Sequence, residues 1–261
     1  MNSTTKDKAD KRKISYYGVR ILAVAFWIGV WQIASMHLKQ EILLASPVSV
    51  VQKMGELIWT ADFWSSIGFS FGRIALGFFL ALSFGILLAV LACVWSPVGI
   101  LFDPLITIVK STPVASFIIL CLIWIPSRNL SVFISFLMVL PVVYANVYTG
   151  IQETDRKLLE MAEVFRLSRG TRIRSIYLSQ VLPYFLTACR LSLGLCWKAG
   201  VAAEVIGVPA GSIGEKLYHA KIYLNTPDLF AWTIVIILIS FLFEKCFLWA
   251  VKKLVYRIER R

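Results

Sequence analysis

The chain has 261 residues, 58% of them hydrophobic and 16% charged, with a formal net charge of +12 and a mean hydropathy of +0.75. Soluble domains average about 45–50% apolar and about 25% charged residues, so this composition excludes an ordinary soluble domain and points to an integral membrane protein. The positive balance is not a nucleic-acid signature here, because the basic residues cluster in segments that fall on one side of a bilayer.

Residues 1–17 are polar and carry Lys6, Lys8, Lys11, Arg12 and Lys13. They read as a basic cytoplasmic tail before a retained first span, roughly Gly18 to Met36, since no small-residue cleavage site comes after it. Ser46-Pro47 signals a turn, and Val50, Val51, Met54, Leu57 and Ile58 are spaced as an amphipathic helix lying at the interface. The second span runs roughly from Ile67 to Val94, long enough to cross about 30 Å of hydrocarbon. It contains Gly68 and Gly72, a G-x-x-x-G that permits close helix packing, and Arg73, which can snorkel. Trp95-Ser96-Pro97 ends it.

The third span, roughly Leu105 to Ile125, is interrupted by Lys110, Ser111, Thr112 and Pro113. A proline within a span frees backbone groups, which is tolerated where protein or a water-filled cavity satisfies them. Two readings stand: a kinked helix that lines a solute path, and a Lys110 near the boundary that snorkels. Pro126-Ser127-Arg128-Asn129 makes a tight turn before a fourth span, roughly Leu130 to Tyr148, with Pro141 inside it. The fifth span, roughly Phe185 to Ile206, carries Arg190, Lys198 and Glu204. Charges at membrane depth face a bundle interior or an aqueous cavity. Lys198 and Glu204 are six residues apart, and at about 100° per residue they point to different faces. Glu204 reads equally as a pathway residue and as a structural hydrogen-bond partner near the outer boundary. Gly207 to Pro227 is an outer loop. The sixth span runs roughly from Leu229 to Val251, before the basic end Lys252, Lys253, Arg257, Arg260 and Arg261.

Familiar catalytic signatures are missing from the sequence. Cys93, Cys121, Cys189, Cys196 and Cys246 all lie in apolar runs without a C-x-x-C pair and read as small buried hydrophobes. His37 and His219 are isolated, and neither a G-x-x-x-x-G-K-[ST] nor an H-E-x-x-H occurs. Ala210-Gly211-Ser212-Ile213-Gly214 approaches G-x-S-x-G, but Ala replaces the first Gly and no strand precedes it. No metal or cofactor is expected.

Between the fourth and fifth spans lies a strongly basic polar segment, Glu153 to Pro183. Leu158, Met161/Ala162 and Phe165 recur at helical spacing, and Thr154 or Asp155 can cap the start. Ser168-Arg169-Gly170-Thr171 interrupts, with Gly170 permitting a left-handed turn and Thr171 capping a second helix. Ile173, Ile176/Tyr177 and Val181 continue a second stripe, and Pro183 suits the first turn of the next helix. Two readings stand for such a stripe: a surface amphipathic hairpin without a partner, and a face that buries against one, as apolar stripes on short exposed helices usually do.

This segment resembles the cytoplasmic loop of permease subunits of binding-protein-dependent ABC importers, which reads E-A-A, three residues, G, about nine residues, then I-x-L-P. Glu160-Met161-Ala162 occupies the first position and Ile176-Tyr177-Leu178 the last. Met161 replaces the first Ala, Arg166 stands where Gly is expected, and Ser179 replaces Pro. Thr112-Pro113-Val114-Ala115, Leu182-Pro183-Tyr184, Ala203-Glu204-Val205-Ile206-Gly207 and Ser212-Ile213-Gly214 resemble the nitrate/sulfonate/taurine subgroup, over roughly Ser46 to Arg257.

The resemblance implies an all-α polytopic membrane protein with a MetI-like permease core, about six transmembrane helices and both termini cytoplasmic. A transmembrane domain over 18–251, with a coupling loop at 150–184, is flanked by the tails 1–17 and 252–261. It further implies a homodimer of permease chains, a cytoplasmic ABC ATPase dimer that binds ATP and Mg, and an extracytoplasmic solute-binding protein. The chain itself is then not an enzyme. Leu158, Glu160, Met161, Ala162, Phe165, Arg166 and Gly170 become the ATPase-docking residues, and Lys110, Thr112, Pro113, Lys198 and Glu204 the pathway candidates. The subgroup points to small anions such as nitrate, taurine or alkanesulfonates. Two alternatives remain: the same architecture importing a neutral vitamin precursor, and an ion-driven secondary transporter without an ATPase.

Charge tests the topology without the resemblance. With the amino terminus inside, the long loop carries Arg156, Lys157, Arg166, Arg169, Arg172 and Arg174. The outer connections hold Lys39, Lys53, Arg128, Lys216 and Lys221, partly offset by acids. The inner side is the more basic, as membrane orientation requires.

Overall fold

The structure is a computed structural model that describes residues 3–38 and 40–259, with side chains over 18–38 and 40–253. The basic side chains of the expected tails, Lys6 to Lys13 and Arg257 to Arg261, lie outside that set, as does Lys39 of the first outer connection. All regular structure among the described residues is helical. The chain runs α1 (Ser3–Leu38), α2 (Pro47–Ile58), α3 (Ala61–Val94), α4 (Ser96–Ser111), α5 (Val114–Cys121), α6 (Ser127–Gln152), α7 (Arg156–Val164), α8 (Arg169–Arg172), a π-helical turn (Ile173–Tyr177), α9 (Leu178–Gly207), α10 (Ile213–Ile222) and α11 (Thr226–Glu259).

Four stretches are long and apolar enough to cross a membrane: Gly18–Leu38, Ala61–Val94, Ser127–Gln152 and Thr226–Lys253. The pair α4 and α5 makes a fifth if counted as one span. The sequence leads to about six, and the difference is α9. Arg190, Lys198 and Glu204 dilute its apolar run. At 30 residues and 1.5 Å per residue it still spans about 45 Å.

The residues fall into two compact units, one of 1–60 and 219–233, the other of 61–218 and 234–261. In the first, Ser46 caps α2 by accepting a hydrogen bond from the Ser49 N–H at 3.1 Å, with Pro47 in the first turn. Trp31 Nε1 donates to the Ala45 carbonyl at 3.0 Å, and its ring packs on Phe230 with centroids 5.4 Å apart. Thr226 Oγ1 donates to the Ile42 carbonyl at 2.6 Å. These bonds hold the irregular 40–46 segment.

The second unit is organised by α3, α6 and α9. Ile74, Phe78 and Ala81 of α3 share one apolar core with Val139, Val143 and Val147 of α6 and Leu193, Cys196 and Trp197 of α9. Phe78 meets Phe243 and Phe247 of α11 edge-on, at centroid separations of 5.8 and 5.1 Å. The backbones of α3 and α6 come close at two glycines. A Cβ at Gly85 would lie 2.9 Å from Val143, and one at Gly77 would run into the Val132 carbonyl. The G-x-x-x-G pair is not the packing seam, since Gly68 and Gly72 have nothing within 4 Å. The buried positions Ser66, Ser70, Ile74, Gly77, Ala81 and Gly85 follow helical spacing, and Gly68 and Gly72 fall on the opposite face.

The third expected span is not one kinked helix: α4 and α5 meet at 108°. The residue before a proline avoids the α region, and Thr112 is extended (φ −80°, ψ 130°) ahead of Pro113. Tyr144 of α6 anchors α4 by donating to Asp103 at 3.3 Å. On the far side of the corner, α5 packs through Ile118 and Cys121 against Leu130 and Ile134 of α6 and Ala199 and Ala203 of α9. All five cysteines are free. Cys121, Cys189 and Cys196 are buried as expected, whereas Cys246 is exposed.

Candidate functional site

An exposed helical elbow comes after α6. Thr154 is buried and its hydroxyl donates to the Gly150 carbonyl at 3.2 Å. The Asp155 carboxylate then caps α7, accepting from the Lys157 N–H at 2.9 Å. The short helix splits its apolar residues between two faces. Leu158 is half-buried and Ala162 is fully buried, while Met161, Val164 and Phe165 are exposed, the last two at 78% and 70%. Glu160, Arg166 and Gly170 are also exposed.

The turn out of α7 does not use the glycine that the sequence suggests. Arg166 has φ +50°. The Leu167 N–H donates to the Ala162 carbonyl at 2.9 Å and the Arg166 N–H to Glu163 at 3.0 Å, the paired bonds of a Schellman ending with a left-handed residue at C′. Gly170 lies inside α8, and the cap of that helix is Ser168, whose hydroxyl accepts from the Thr171 N–H at 3.2 Å. Arg172 closes the turn with a 3.6 Å contact to Glu163. From α8 the chain stays helical through the π turn into α9, so Pro183 sits within α9 and not in its first turn. Its missing N–H removes the helical hydrogen bond that the Ser179 carbonyl would otherwise accept.

The pathway candidates fall in three places. Lys110 is exposed at the end of α4, and Thr112 and Pro113 form the corner itself. The Thr112 and Ser111 hydroxyls both donate to the Ile108 carbonyl, at 2.7 and 3.1 Å, which also accepts the Thr112 N–H at 3.0 Å. Lys198 is exposed on α9. Glu204, on the same helix, is fully buried, so the two do not meet.

Around Glu204 the structure assembles partners that sequence reasoning did not find. Ser70 of α3 donates to Glu204 Oε2 at 2.6 Å, and the Ile213 N–H donates to Ser70 Oγ at 2.9 Å. The Gly214 N–H reaches the same carboxylate oxygen at 3.3 Å. A Cβ at Gly214 would collide with the Glu204 side chain and backbone, so only glycine lets α10 approach this closely. Beside this cluster, Arg73 lies over the Phe69 ring at 4.3 Å and donates to the Arg128 carbonyl and to Asn129 Oδ1 at 3.1 Å. The near-match to a nucleophile elbow is part of the same knot: Ser212 Oγ caps α10 by accepting from the Glu215 N–H at 3.0 Å, and Glu215 reaches back to the Gly211 N–H at 2.7 Å. One signal was available, the Ser66–Ser70 pair one turn apart in an apolar helix. Its carboxylate partner lies 134 residues away, beyond any local pattern.

The arrangement is thus a polar elbow outside the apolar stretches and a buried carboxylate knot joining α3, α9 and α10. Among the described residues no group of His, Cys, Asp and Glu could hold a metal ion. The family of binding-protein-dependent transport system inner membrane components matches residues 81–260, more than half of the chain. The putative aliphatic sulfonates transport permease protein SsuC of Bacillus subtilis (strain 168) is 29% identical, over 82% of this chain and 78% of its own length. The taurine transport system permease protein TauC of Escherichia coli (strain K12) is 27% identical, over 82% and 80%. The nitrate import permease protein NrtB of Synechococcus elongatus is 26% identical, over 77% and 75%. The fold is similar to that in a crystal structure of an amino acid ABC transporter with histidines, at a TM-score of 0.51 and 19% identity, covering 82% of this chain and 97% of that one. The chain therefore belongs to the inner-membrane permease components of binding-protein-dependent ABC importers, multi-pass proteins of the cell membrane that leave ATP hydrolysis to a partner subunit.

Proposed function

We propose that this chain forms the solute path of an ABC importer for small sulfonate-type or related anions and docks on its ATPase through the α7 elbow. The observation that carries the docking is the outward apolar face of Met161, Val164 and Phe165 on a polar, basic segment. Exposed apolar residues grouped on a short helix mark a protein contact. Glu160 and Arg166 flank that face and supply polar contacts, while Leu158 and Ala162 hold the helix to its own chain. Nucleotide binding draws the two ATPase subunits together, moves the elbows and switches the spans between inward-open and outward-open states.

In this reading the elbow and both termini lie in the cytoplasm, two copies of the chain pair across the path, and Lys110, Thr112, Pro113 and Lys198 are candidates to line it. The sulfonate, taurine and nitrate permeases among the relatives support an anionic cargo, with selectivity resting mainly on the solute-binding protein. The test is ATP hydrolysis by the complex in lipid with its binding protein, across a solute panel. Stimulation by a sulfonate, taurine or nitrate is expected. Stimulation by a neutral vitamin precursor alone removes the anion assignment, and failure of any ATPase to co-purify removes the docking assignment.

A further inference from the structure

A groove of about 450 Å³ lies between α9 and α11, lined by Arg190, Glu244, Lys245, Leu248, Trp249 and Lys252. Its size falls within the usual range of ligand sites, about 300–1,000 Å³. Lys245, Leu248, Trp249 and Lys252 follow the i, i+3, i+4, i+7 spacing that places them on one helix face, and Arg190 comes from a different helix. Three cations and one carboxylate therefore converge. Among the described residues Arg190, Glu244 and Lys252 form no ion pair or hydrogen bond with another side chain, and with one carboxylate beside three cations the groove keeps a net positive charge.

Position identifies the ligand chemistry. Lys252 is at the basic end of the apolar stretch Thr226–Lys253, where headgroups lie, and Lys245 is seven residues, about 10 Å, further in. Trp249, exposed at 64%, is the residue type that settles at that depth. A free anion would use the cations but not Leu248 and Trp249, whereas an amphiphile uses both. We propose that this groove binds the phosphate headgroup of an anionic phospholipid, with Arg190, Lys245 and Lys252 around the phosphate and Leu248 and Trp249 beside the glycerol and upper acyl chains. Basic pockets between membrane helices hold anionic headgroups in this way.

The test is native mass spectrometry of the full chain, released from micelles carrying equimolar phosphatidylglycerol and phosphatidylcholine, with and without inorganic phosphate. The expected result is one phosphatidylglycerol retained per chain in preference to phosphatidylcholine. The R190Q/K245Q/K252Q variant should lose about a hundredfold of that retention, at roughly 1 kcal/mol per cation near the surface. K216Q serves as a control, because Lys216 pairs with Asp62 elsewhere, at 2.7 Å. Equal retention by the triple variant, or equal retention of the two lipids, overturns the proposal. Displacement of the lipid by millimolar phosphate that is itself retained shows a free-phosphate pocket and also overturns it. If the triple variant fails to insert, K252Q alone should lose severalfold of the retention, and unchanged retention there is equally decisive.

Discussion

Arg166 holds a backbone conformation that glycine would adopt without strain. A left-handed non-glycine residue carries about 1–2 kcal/mol of steric penalty, and the loop pattern of the family places glycine at this position. Arg166→Gly is therefore expected to raise the stability of the elbow by about 1 kcal/mol, read as an increased thermal midpoint, while lowering solute-stimulated hydrolysis through loss of the guanidinium's contact on the ATPase. Unchanged stimulation in a more stable variant would remove the guanidinium from the docking surface. Glu160→Lys, at an exposed position, should abolish stimulated hydrolysis without affecting insertion. A bulky residue at the fully buried Ala162 acts on the fold first, so its effect on hydrolysis reports packing. At the other end of α9, Glu204→Ala removes the acceptor for Ser70 and the Gly214 N–H. Buried donors left without partners cost about 1–3 kcal/mol, so a fall in thermal midpoint is expected, with a smaller one for Glu204→Gln. Equal midpoints for wild type and Glu204→Ala would show that the knot contributes no stability. The role of Asp155 as a cap was legible in the sequence because capping is local. The left-handed Arg166 was not, because Gly170, four residues on, offered the lower-strain place for the turn.

Among the helices, periodicity located the long apolar elements well. Gly18–Leu38, Ala61–Val94, Ser127–Gln152 and Thr226–Lys253 correspond closely to four expected spans, because runs of this length are fixed by bilayer thickness. The corner at Thr112-Pro113 was visible as a break but not as an angle of 108°, since direction depends on where α5 finds its partners on α6 and α9. The G-x-x-x-G at Gly68 and Gly72 permits close packing without marking where α3 meets α6, for a similar reason: the motif records spacing, and the buried face is decided by which residues the neighbouring helix meets. Gly85→Leu should therefore disrupt insertion or stability, because Val143 leaves no room for it. Gly72→Leu, facing open space, should have little effect. Comparing expression and detergent-solubilised thermal midpoints of the two variants tests that assignment.

At the level of the whole molecule, composition gave the membrane class and charge asymmetry a preferred orientation. What the chain carries was not legible at all, because the pathway candidates are few and scattered over three places. Together α8, the π turn and α9 run unbroken from Arg169 to Gly207. A helix is stiff along its axis, so a displacement applied beside the elbow is carried along this rod, with the π turn and Pro183 as the places where it can bend. A push there must reappear as a tilt at the distant Glu204 end, where hydrogen bonds to two other helices register it. The π turn, with its wider winding, is a place along the rod where such a stroke is shortened by a residue and its throw reset.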